Sequence, residues 1–447
     1  MIRVTEQPWC EPVNAFWSVK DEPCVAFLDS AMRGHTDARW SYVAIDPAAV
    51  MTVENGQAKL TLRGCKCQEI DDWRAAFRSI LADFSAEIPA AAPSFCGGWI
   101  GWLSYELGSE FDHIAVHDGT VLGAPLLHLA FYDAVDAFDL EERRRWRVSV
   151  GGEASTSLDK IVSTVPTLTE ARPFEIASNF TEQTYKCAVE RAIELINAGD
   201  IYQVNLSQQF VGQAPADEAT IYVRLREKSP APYSAFLQSA KGTLISSSPE
   251  LFMDVDADAG IVSSRPIKGT RPRGVTHDQD VLNAKELSDS AKDRAENIMI
   301  VDLVRNDLGR ICEAGSVNTT QICRREIHPT VLHLVSTVRG HLKAGLDVID
   351  ALGALFPGGS VTGAPKIRAC EIIKELESSA RGLYTGAYGY ASLSGDAKFA
   401  MSIRMIWTTG RQIAYSVGGG IVADSDPGWE YQETLVKAAA IKAALAG

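Results

Sequence analysis

Four carboxylates in two predicted helices have the spacing best suited to metal chemistry. Asp293 and Glu296 are three residues apart, and so are Glu430 and Glu433. Residues three apart share one face of a helix, so each pair presents its carboxylates in one direction. If the pairs converge, they suit Mg²⁺, which prefers oxygen ligands and keeps several waters. Solvated surface acids are the competing interpretation, and no cysteine or histidine accompanies them to indicate zinc.

A cluster of cations contains a candidate nucleophile. Arg265, Lys268, Arg271 and Arg273 fall within nine positions of a protein whose net charge is −14. Like charges nearby disfavour the ammonium form of Lys268, and a lysine nucleophile must be a neutral amine. The alternatives are a solvated loop and a pocket for an anionic substrate. Lys437 lies one helical turn after the second acid pair and could bind a substrate carboxylate.

Two glycine-rich segments could let a ligand approach the backbone. Residues 358–366 (GGSVTGAPK) precede a helix predicted to begin near Pro365, and helix N-termini hold anions. The segment is not a Walker A loop, because Ile367 stands where Ser or Thr is required. Gly418 to Gly420 follow a strand predicted for residues 413–417. A tight turn is the alternative for either segment.

His333 is a candidate general acid or base, and a packed structural histidine is the alternative. The sequence contains no Gly-x-Ser-x-Gly motif and no glutaminase-like cysteine motif. Hydrolysis by a nucleophile triad is therefore not predicted.

The composition is that of a globular protein. The chain has 447 residues, 46% hydrophobic and 22% charged, with no apolar run long enough to span a bilayer and no secretory signal. Its nine cysteines are scattered without a Cys-x-x-Cys motif, which predicts reduced thiols in a cytoplasm. With 57 acidic against 43 basic residues, nucleic-acid binding and membrane association are not expected.

The elements that must position these groups indicate an α+β protein. Residues 1–150 read as mixed strands and helices, residues 151–175 as a linker rich in Gly, Ser, Thr and Pro, and residues 176–447 as the catalytic region. A helix is predicted after Asn179, with Asn179 as its cap and Glu182 completing a capping box. The final helix is predicted to begin at Asp426-Pro427.

Ten sequence segments, taken together, resemble the chorismate-utilising enzyme family. They are AGDIYQVNLSQ (198–208), SSSPELF (246–252), PIKGT (266–270), AENIMIVDLVRNDLGR (295–310), HLVSTVRG (333–340), GGSVTGAPKIRA (358–369), YTGAYGY (384–390), SIRM (402–405), GGGIVADSDP (418–427) and ETLVKA (433–438). The resemblance covers nearly the whole chain and is densest between residues 179 and 437. It implies the fold of anthranilate synthase component I, in which large antiparallel sheets pack together with helices on the outside.

The same resemblance implies site roles. Glu296 and Glu433 would bind Mg²⁺, with Asp293 and Glu430 supporting through waters, and the metal would hold a carboxylate of chorismate. Lys268 would be the nucleophile, Glu250 the general acid for the C4 hydroxyl and His333 an active-site histidine. The implied substrate-binding residues are Ser360, Tyr384, Arg404, Gly418, Gly419, Gly420 and Lys437.

The PIKGT segment narrows the implied reaction. It resembles members that form 4-amino-4-deoxychorismate for 4-aminobenzoate and folate synthesis, whereas anthranilate-forming members read PIAGT. Gln203 stands where isochorismate-forming members carry lysine. The resemblance thus implies amination of chorismate by ammonia, supplied in solution or by a separate glutamine amidotransferase subunit. Anthranilate synthesis and a non-catalytic, tryptophan-binding regulatory subunit are the alternatives.

Three further segments resemble the tryptophan site of the family. They are residues 27–30, 39–42 and 230–233, and they contribute Ser30, Pro230 and Tyr233 as candidate ligands.

Overall fold

The computed structural model describes residues 1–89, 92–151, 161–168, 170–328 and 331–447. In chain order its strands are β1 (Ile2–Gln7), β2 (Ala26–Asp29), β3 (Trp40–Ala44), β4 (Ala49–Glu54), β5 (Gln57–Leu62), β6 (Gln68–Ile70), β7 (Gly98–Leu103), β8 (Leu127–Tyr132), β9 (Ala134–Asp139), β10 (Arg144–Val150), β11 (Ile176–Ser178), β12 (Gln203–Gln213), β13 (Tyr233–Ser239), β14 (Gly242–Ser248), β15 (Leu251–Asp256), β16 (Ile261–Arg265), β17 (Ile267–Pro272), β18 (Asn318–Ile327), β19 (Val331–His341), β20 (Gly363–Ala364), β21 (Ala387–Ser392), β22 (Ala397–Met401), β23 (Met405–Thr409) and β24 (Gln412–Ile421).

The α-helices are α1 (Pro12–Val19), α2 (Trp73–Asp83), α3 (Ser109–Asp112), α4 (Glu182–Asn197), α5 (Glu218–Lys228), α6 (His277–Asp289), α7 (Ala291–Ile311), α8 (Val348–Leu355), α9 (Lys366–Leu376) and α10 (Pro427–Ala446). Short 3₁₀ turns occupy Tyr105–Gly108 and Gly359–Val361. No helix in the described part of the chain is both long enough and apolar enough to cross a membrane.

The strands form two antiparallel sheets of twelve strands each. The first has the order β1-β10-β9-β3-β2-β13-β14-β23-β24-β12-β11, with β20 also paired to β12. The second has the order β17-β19-β16-β15-β22-β21-β7-β8-β4-β5-β6, with β18 also paired to β19. The predicted α+β fold with large antiparallel sheets is confirmed.

Each sheet combines strands from the N-terminal part of the chain with strands from the C-terminal part. Strands β1 to β10 make one contiguous half of each sheet, and strands β11 to β24 make the other half. The halves join at two seams, where β2 pairs with β13 and β21 pairs with β7. Residues 152–160 and 169, which belong to the predicted linker, lie outside the described residues, so the linker stays a prediction.

The core lies between the two sheets, and the helices cover their outer faces. One apolar cluster joins Tyr42 and Ala137 of the first sheet to Trp102 and Tyr388 of the second. Side chains of α1, α5 and α10 pack on the outer face of the first sheet, and those of α2, α7 and α8 pack on the second. Burial of apolar side chains on both faces is the main stabilising contribution to such a layered fold.

Two helix starts show how local sequence sets the boundaries. Asp426 caps α10 by accepting from the backbone N–H of Trp429, as predicted. The predicted capping box of α4 is wrong in its residues: Thr181 is the cap, and Thr184 completes the box. Asn179 instead accepts from the backbone N–H of Gln209, which fixes the entry to the helix against β12.

The glycines at 418–420 belong to a strand rather than a turn. Strand β24 continues through them to Ile421 and pairs with Asn205, Leu206 and Ser207 of β12. A Cβ atom on Gly418 would lie 2.5 Å from the carbonyl oxygen of Leu206. Glycine is therefore needed here for the close approach of two strands, so the tight-turn alternative is wrong for this segment.

Candidate active site

A cavity of about 590 Å³ opens where β17, α7, α10 and β24 meet. Each of the ten quoted sequence segments contributes at least one residue to its lining. The predicted residues that line it are Glu250, Lys268, Asp293, Glu296, His333, Ser360, Tyr384, Arg404, Gly418, Gly420, Glu430, Glu433 and Lys437. Gly419 does not line it, because it faces the helix α10. Side chains separated by up to 187 positions in sequence are thus brought to one surface.

Four carboxylates form the acidic wall of the cavity. Asp293 and Glu296 project from α7, and Glu430 and Glu433 project from α10. Burial raises the pKa of Glu296 and of Glu430 above the usual range of a glutamate. Carboxylates held together at this cost are suited to a bound cation, whose charge would favour their ionised forms.

The residues present fit Mg²⁺. All four offer hard oxygen donors, which Mg²⁺ prefers. A Cβ atom on Gly419 would lie 3.1 Å from Oε2 of Glu430 and 3.8 Å from Oε1 of Glu433, so the bare glycine leaves space beside both carboxylates. Within the described chain, no three of these acids place ligand atoms within 4.8 Å of one another. The set is therefore open enough for waters or substrate oxygens to complete a coordination shell.

Lys437 forms an ion pair with one carboxylate of the acidic wall. Its Nζ lies 2.7 Å from Oε1 of Glu433 and donates to the carbonyl of Gly418 at 2.8 Å. The charge of Lys437 lowers the pKa of Glu433, in contrast to the other two glutamates. Lys437 consequently links α10 to Gly418 of β24 and favours the ionised form of the Glu433 carboxylate.

Lys268, on β17, lines the same cavity as the acids. Burial lowers the pKa of its amine, and the charge of Lys437 acts in the same direction, whereas Glu296 and Glu250 oppose the change. The lowered pKa of Lys268 agrees with the prediction from the sequence, but the predicted cause, the charge of the neighbouring arginines, is wrong. Burial dominates, because the three arginines of the cationic cluster are each paired with carboxylates: Arg265 with Glu326, Arg273 with Asp280, and Arg271 with Glu286 and with Asp293 of the acidic wall.

Glu250 is the buried acid of the cavity. It accepts a 2.6 Å hydrogen bond from the hydroxyl of Ser360. Burial raises its pKa, although this hydrogen bond and the charge of Lys268 both act to lower it. A carboxyl group with a raised pKa retains its proton more readily and can deliver it to a leaving group.

His333 is a neutral imidazole in this site. Its Nδ1 lies 2.9 Å from the hydroxyl of Thr270, and its buried Nε2 has no partner among the described residues. Burial and the positive charge of Arg404 hold its pKa well below the usual value. The free Nε2 beside a cationic guanidinium suits hydrogen bonding to a polar ligand.

Arg404 and Tyr384 also line the cavity. Burial lowers the pKa of Arg404, whose guanidinium forms no ion pair with the described residues. Its backbone φ of +49° is in the left-handed region, which is uncommon for a residue other than glycine. An unpaired, partly buried cation in a strained conformation is consistent with binding an anionic ligand.

Sequence reasoning missed several polar residues of the cavity wall, among them Asn205 and Lys292. Asn205 lines the cavity, and its buried Nδ2 has no partner among the described residues. Gln203, two positions earlier on β12, is also fully buried with both side-chain polar atoms unpartnered. The signal was the i, i+2 spacing, which places two polar side chains on one face of a buried strand.

A buried ion pair supports this wall from behind. Arg381 donates to both carboxylate oxygens of Glu377, at 2.7 and 2.9 Å, and to the carbonyl of Asn205. Its guanidinium also lies 5.9 Å from the ring of Tyr384. These contacts fix β12 and the tyrosine relative to each other.

Replacing Arg381 by leucine is expected to lower the free energy of unfolding by about 3–5 kcal/mol, because Glu377 would remain as an uncompensated buried charge. The matched control is Arg191→Ala, which removes an exposed ion pair with Glu194 and should change stability by less than about 1 kcal/mol. Chemical denaturation of both variants measures the difference. Equal losses of stability in the two variants would show that the buried pair of Arg381 and Glu377 contributes no more to stability than the exposed pair does.

A second cavity, of about 240 Å³, brings together the segments that resemble a tryptophan site. Ser30 and Tyr233 line it, together with Trp40 and Tyr388. Pro230 does not line it, whereas Pro232, directly before β13, does. The occupant of this cavity stays a prediction.

Comparisons with known proteins agree with the geometry. The sequence model described as chorismate binding enzyme matches residues 25–443. Aminodeoxychorismate synthase component 1 of Bacillus subtilis (strain 168) is 36% identical over 439 residues, covering 94% of this chain and 91% of that protein. Anthranilate synthase component 1 of Streptomyces coelicolor is 38% identical over 459 residues, covering 97% and 86%. The crystal structure of anthranilate synthase component I from Streptococcus pneumoniae TIGR4 superposes with a TM-score of 0.79 and 31% identity, covering 91% and 93%.

Proposed function

This chain belongs to the chorismate-binding enzyme family, and we propose that within it the protein forms 4-amino-4-deoxychorismate from chorismate and ammonia. The observation that carries the proposal is the position of Lys268, whose pKa is lowered by burial, in the same cavity as Glu250 and four carboxylates. The 36% identity to a relative named aminodeoxychorismate synthase component 1 supports it.

The proposed reaction proceeds through two displacements. The neutral amine of Lys268 attacks C2 of chorismate, the ring double bonds shift, and the C4 hydroxyl leaves as water after taking a proton from Glu250. Ammonia then attacks C4, the double bonds shift back, and Lys268 leaves C2 as an amine. The carboxylate of Glu250 takes the surplus proton from the new nitrogen, so the net change replaces hydroxyl by amine and releases water.

We propose Mg²⁺ as the cofactor, held by Glu296 and Glu433, with Asp293 and Glu430 supporting through waters. When bound, the ion would neutralise a substrate carboxylate and act as a Lewis acid. Arg404 would offset the second carboxylate, and the Nε2 of His333 and the amide of Asn205 would orient the ring. Ser360 would hold Glu250 towards the leaving group through its hydrogen bond.

Anthranilate synthesis is the second candidate, since a relative named anthranilate synthase component 1 is 38% identical to this chain. Both reactions would use the same acids and carboxylate-binding groups, and Lys268 is the residue that separates them. Incubation of the pure protein with chorismate, Mg²⁺ and an ammonium salt, followed by mass-spectrometric identification of the product, decides between them. Anthranilate as the main product would overturn the first proposal.

We further propose that ammonia reaches the protein from a separate glutamine amidotransferase subunit. The protein alone is then expected to use ammonium salts but not glutamine. Burial raises the pKa of several of its cysteines, among them Cys96 and Cys370, which disfavours the thiolate that glutamine hydrolysis needs. The rate with ammonium salts should rise with pH, because only uncharged ammonia is nucleophilic.

The check is product formation by the purified chain with glutamine alone, with ammonium salt, and with glutamine plus an amidotransferase subunit. Glutamine-dependent turnover by the chain alone would contradict the two-subunit proposal. Turnover with ammonium salts that does not change with pH would show that delivery of free ammonia is not limiting.

A further inference from the structure

A second group of potential metal ligands lies outside the catalytic cavity. His35, in the loop between β2 and β3, meets Glu326 of β18 and His328, which directly follows that strand. One ligand atom from each of the three lies within 4.8 Å of the others, and no other such group occurs in the described chain. None of the three lines either cavity described above.

We propose that these three side chains bind one divalent transition-metal ion of the Zn²⁺ type. Two imidazoles and a carboxylate are a common ligand set for such ions. Nε2 of His35 lies 3.4 Å from Oε2 of Glu326. Two ligands of one tetrahedral Zn²⁺, each about 2.1 Å from the metal, lie about 3.4 Å apart, so this pair needs little rearrangement.

The buried side chain of His328 is an independent indication that a ligand binds at this site. Its side chain is 4% exposed, and its Nε2 is buried without a hydrogen-bond partner among the described residues. A buried polar atom left without a partner is costly, and an unmodelled ion is one of its ordinary explanations.

The surrounding charges are compatible with one bound cation. Arg265 pairs with Oε1 of Glu326 and with Asp37, which leaves Oε2 of the glutamate directed towards His35. Coordination through Nε2 places the proton of His35 on Nδ1, where Oδ2 of Asp37, 3.8 Å away, would accept it. This contact would replace the present hydrogen bond from the backbone N–H of Asp37 to Nδ1.

A metal ion bound here would stabilise the fold and would take no part in the reaction at the catalytic cavity. It would tie the loop carrying Thr36 and Asp37, which line the second cavity, to the hairpin of β18 and β19. The ring of His328 lies 4.8 Å from that of His333 in the catalytic cavity. Metal binding should therefore raise the thermal stability of the protein, through its preference for the folded state.

The test uses the full chain, freed of metal by a chelator and titrated with Zn²⁺ by calorimetry and with Co²⁺ by absorption spectroscopy. One equivalent should bind, raise the melting temperature and give Co²⁺ bands without thiolate charge transfer. His328→Gln and Glu326→Gln should each weaken binding by at least about tenfold. His341→Gln, an exposed histidine on the same hairpin, and Glu296→Gln, in the proposed Mg²⁺ site, should leave it unchanged.

If His328→Gln does not fold, His35→Gln decides, because His35 lies in a loop and should tolerate the change. Failure of Zn²⁺ to bind the wild-type chain would overturn the proposal. Binding that persists in the His35 and Glu326 variants would also overturn it, as would a thiolate band assigning the ion to a cysteine. None of these outcomes bears on amination of chorismate, which the assay with Mg²⁺ measures separately.

Discussion

Lys268→Ala is expected to abolish formation of 4-amino-4-deoxychorismate while leaving the fold intact. Loss of a covalent nucleophile removes the first displacement altogether, and comparable losses in other enzymes reach on the order of 10³-fold or more. Lys268 is half-buried and forms no ion pair with the described residues, so its removal breaks no ion pair among them. The space vacated beside the substrate could also admit ammonia at C2, which would give an anthranilate-type product.

The matched control is Lys268→Arg, which retains a cation of similar length but supplies no neutral amine at neutral pH. Both variants should be inactive in amination at C4 if the lysine is a nucleophile. Product analysis by mass spectrometry, with circular dichroism to verify folding, measures the outcome. Full activity of the arginine variant would show that this position contributes charge alone.

Glu296→Gln and Glu433→Gln are each expected to raise the Mg²⁺ concentration needed for half-maximal activity by about tenfold or more. Each change keeps the shape of the side chain and removes a charge that would bind the ion. The second variant also breaks the 2.7 Å pair with Lys437, so its effect should be the larger of the two. Chelator-treated wild-type protein should be inactive until Mg²⁺ is restored.

Asp302→Asn serves as the control for this series. It removes an exposed carboxylate from the same helix, α7, where its one ion pair among the described residues is with Arg305 on the surface. Its Mg²⁺ dependence should match that of the wild-type protein. Normal turnover of chelator-treated protein would show that the acidic wall has another role.

The acid pairs illustrate what local sequence can and cannot predict. The i, i+3 spacing was enough to place each pair on one helical face, because helix geometry depends on neighbours only. Nothing local indicated that the acid pairs of α7 and α10, more than 130 positions apart, would face one cavity, and only the family resemblance connected them. Their convergence depends on long-range pairing within the sheets.

Electrostatic surroundings were predicted less well than positions. The cationic cluster predicted the right direction for the pKa of Lys268 for the wrong reason, since Arg265 is paired with Glu326 of β18, and Arg271 and Arg273 are paired with Glu286 and Asp280 of α6. The cluster of His35, Glu326 and His328 was not visible at all. Glu326 and His328 are two positions apart, but His35 lies 291 positions before Glu326 and joins them through tertiary packing alone.

The two seams between the halves of the sheets have a consequence for synthesis of the protein on the ribosome. Strand β7 ends at Leu103, and its seam partner begins at Ala387, so 284 further residues must be translated first. At about 5–20 residues per second, the edge of the N-terminal half stays open for roughly 15–60 s. An open edge strand invites pairing with other chains. The nascent protein is therefore expected to depend on chaperones during this interval, and truncation before residue 387 should yield insoluble material.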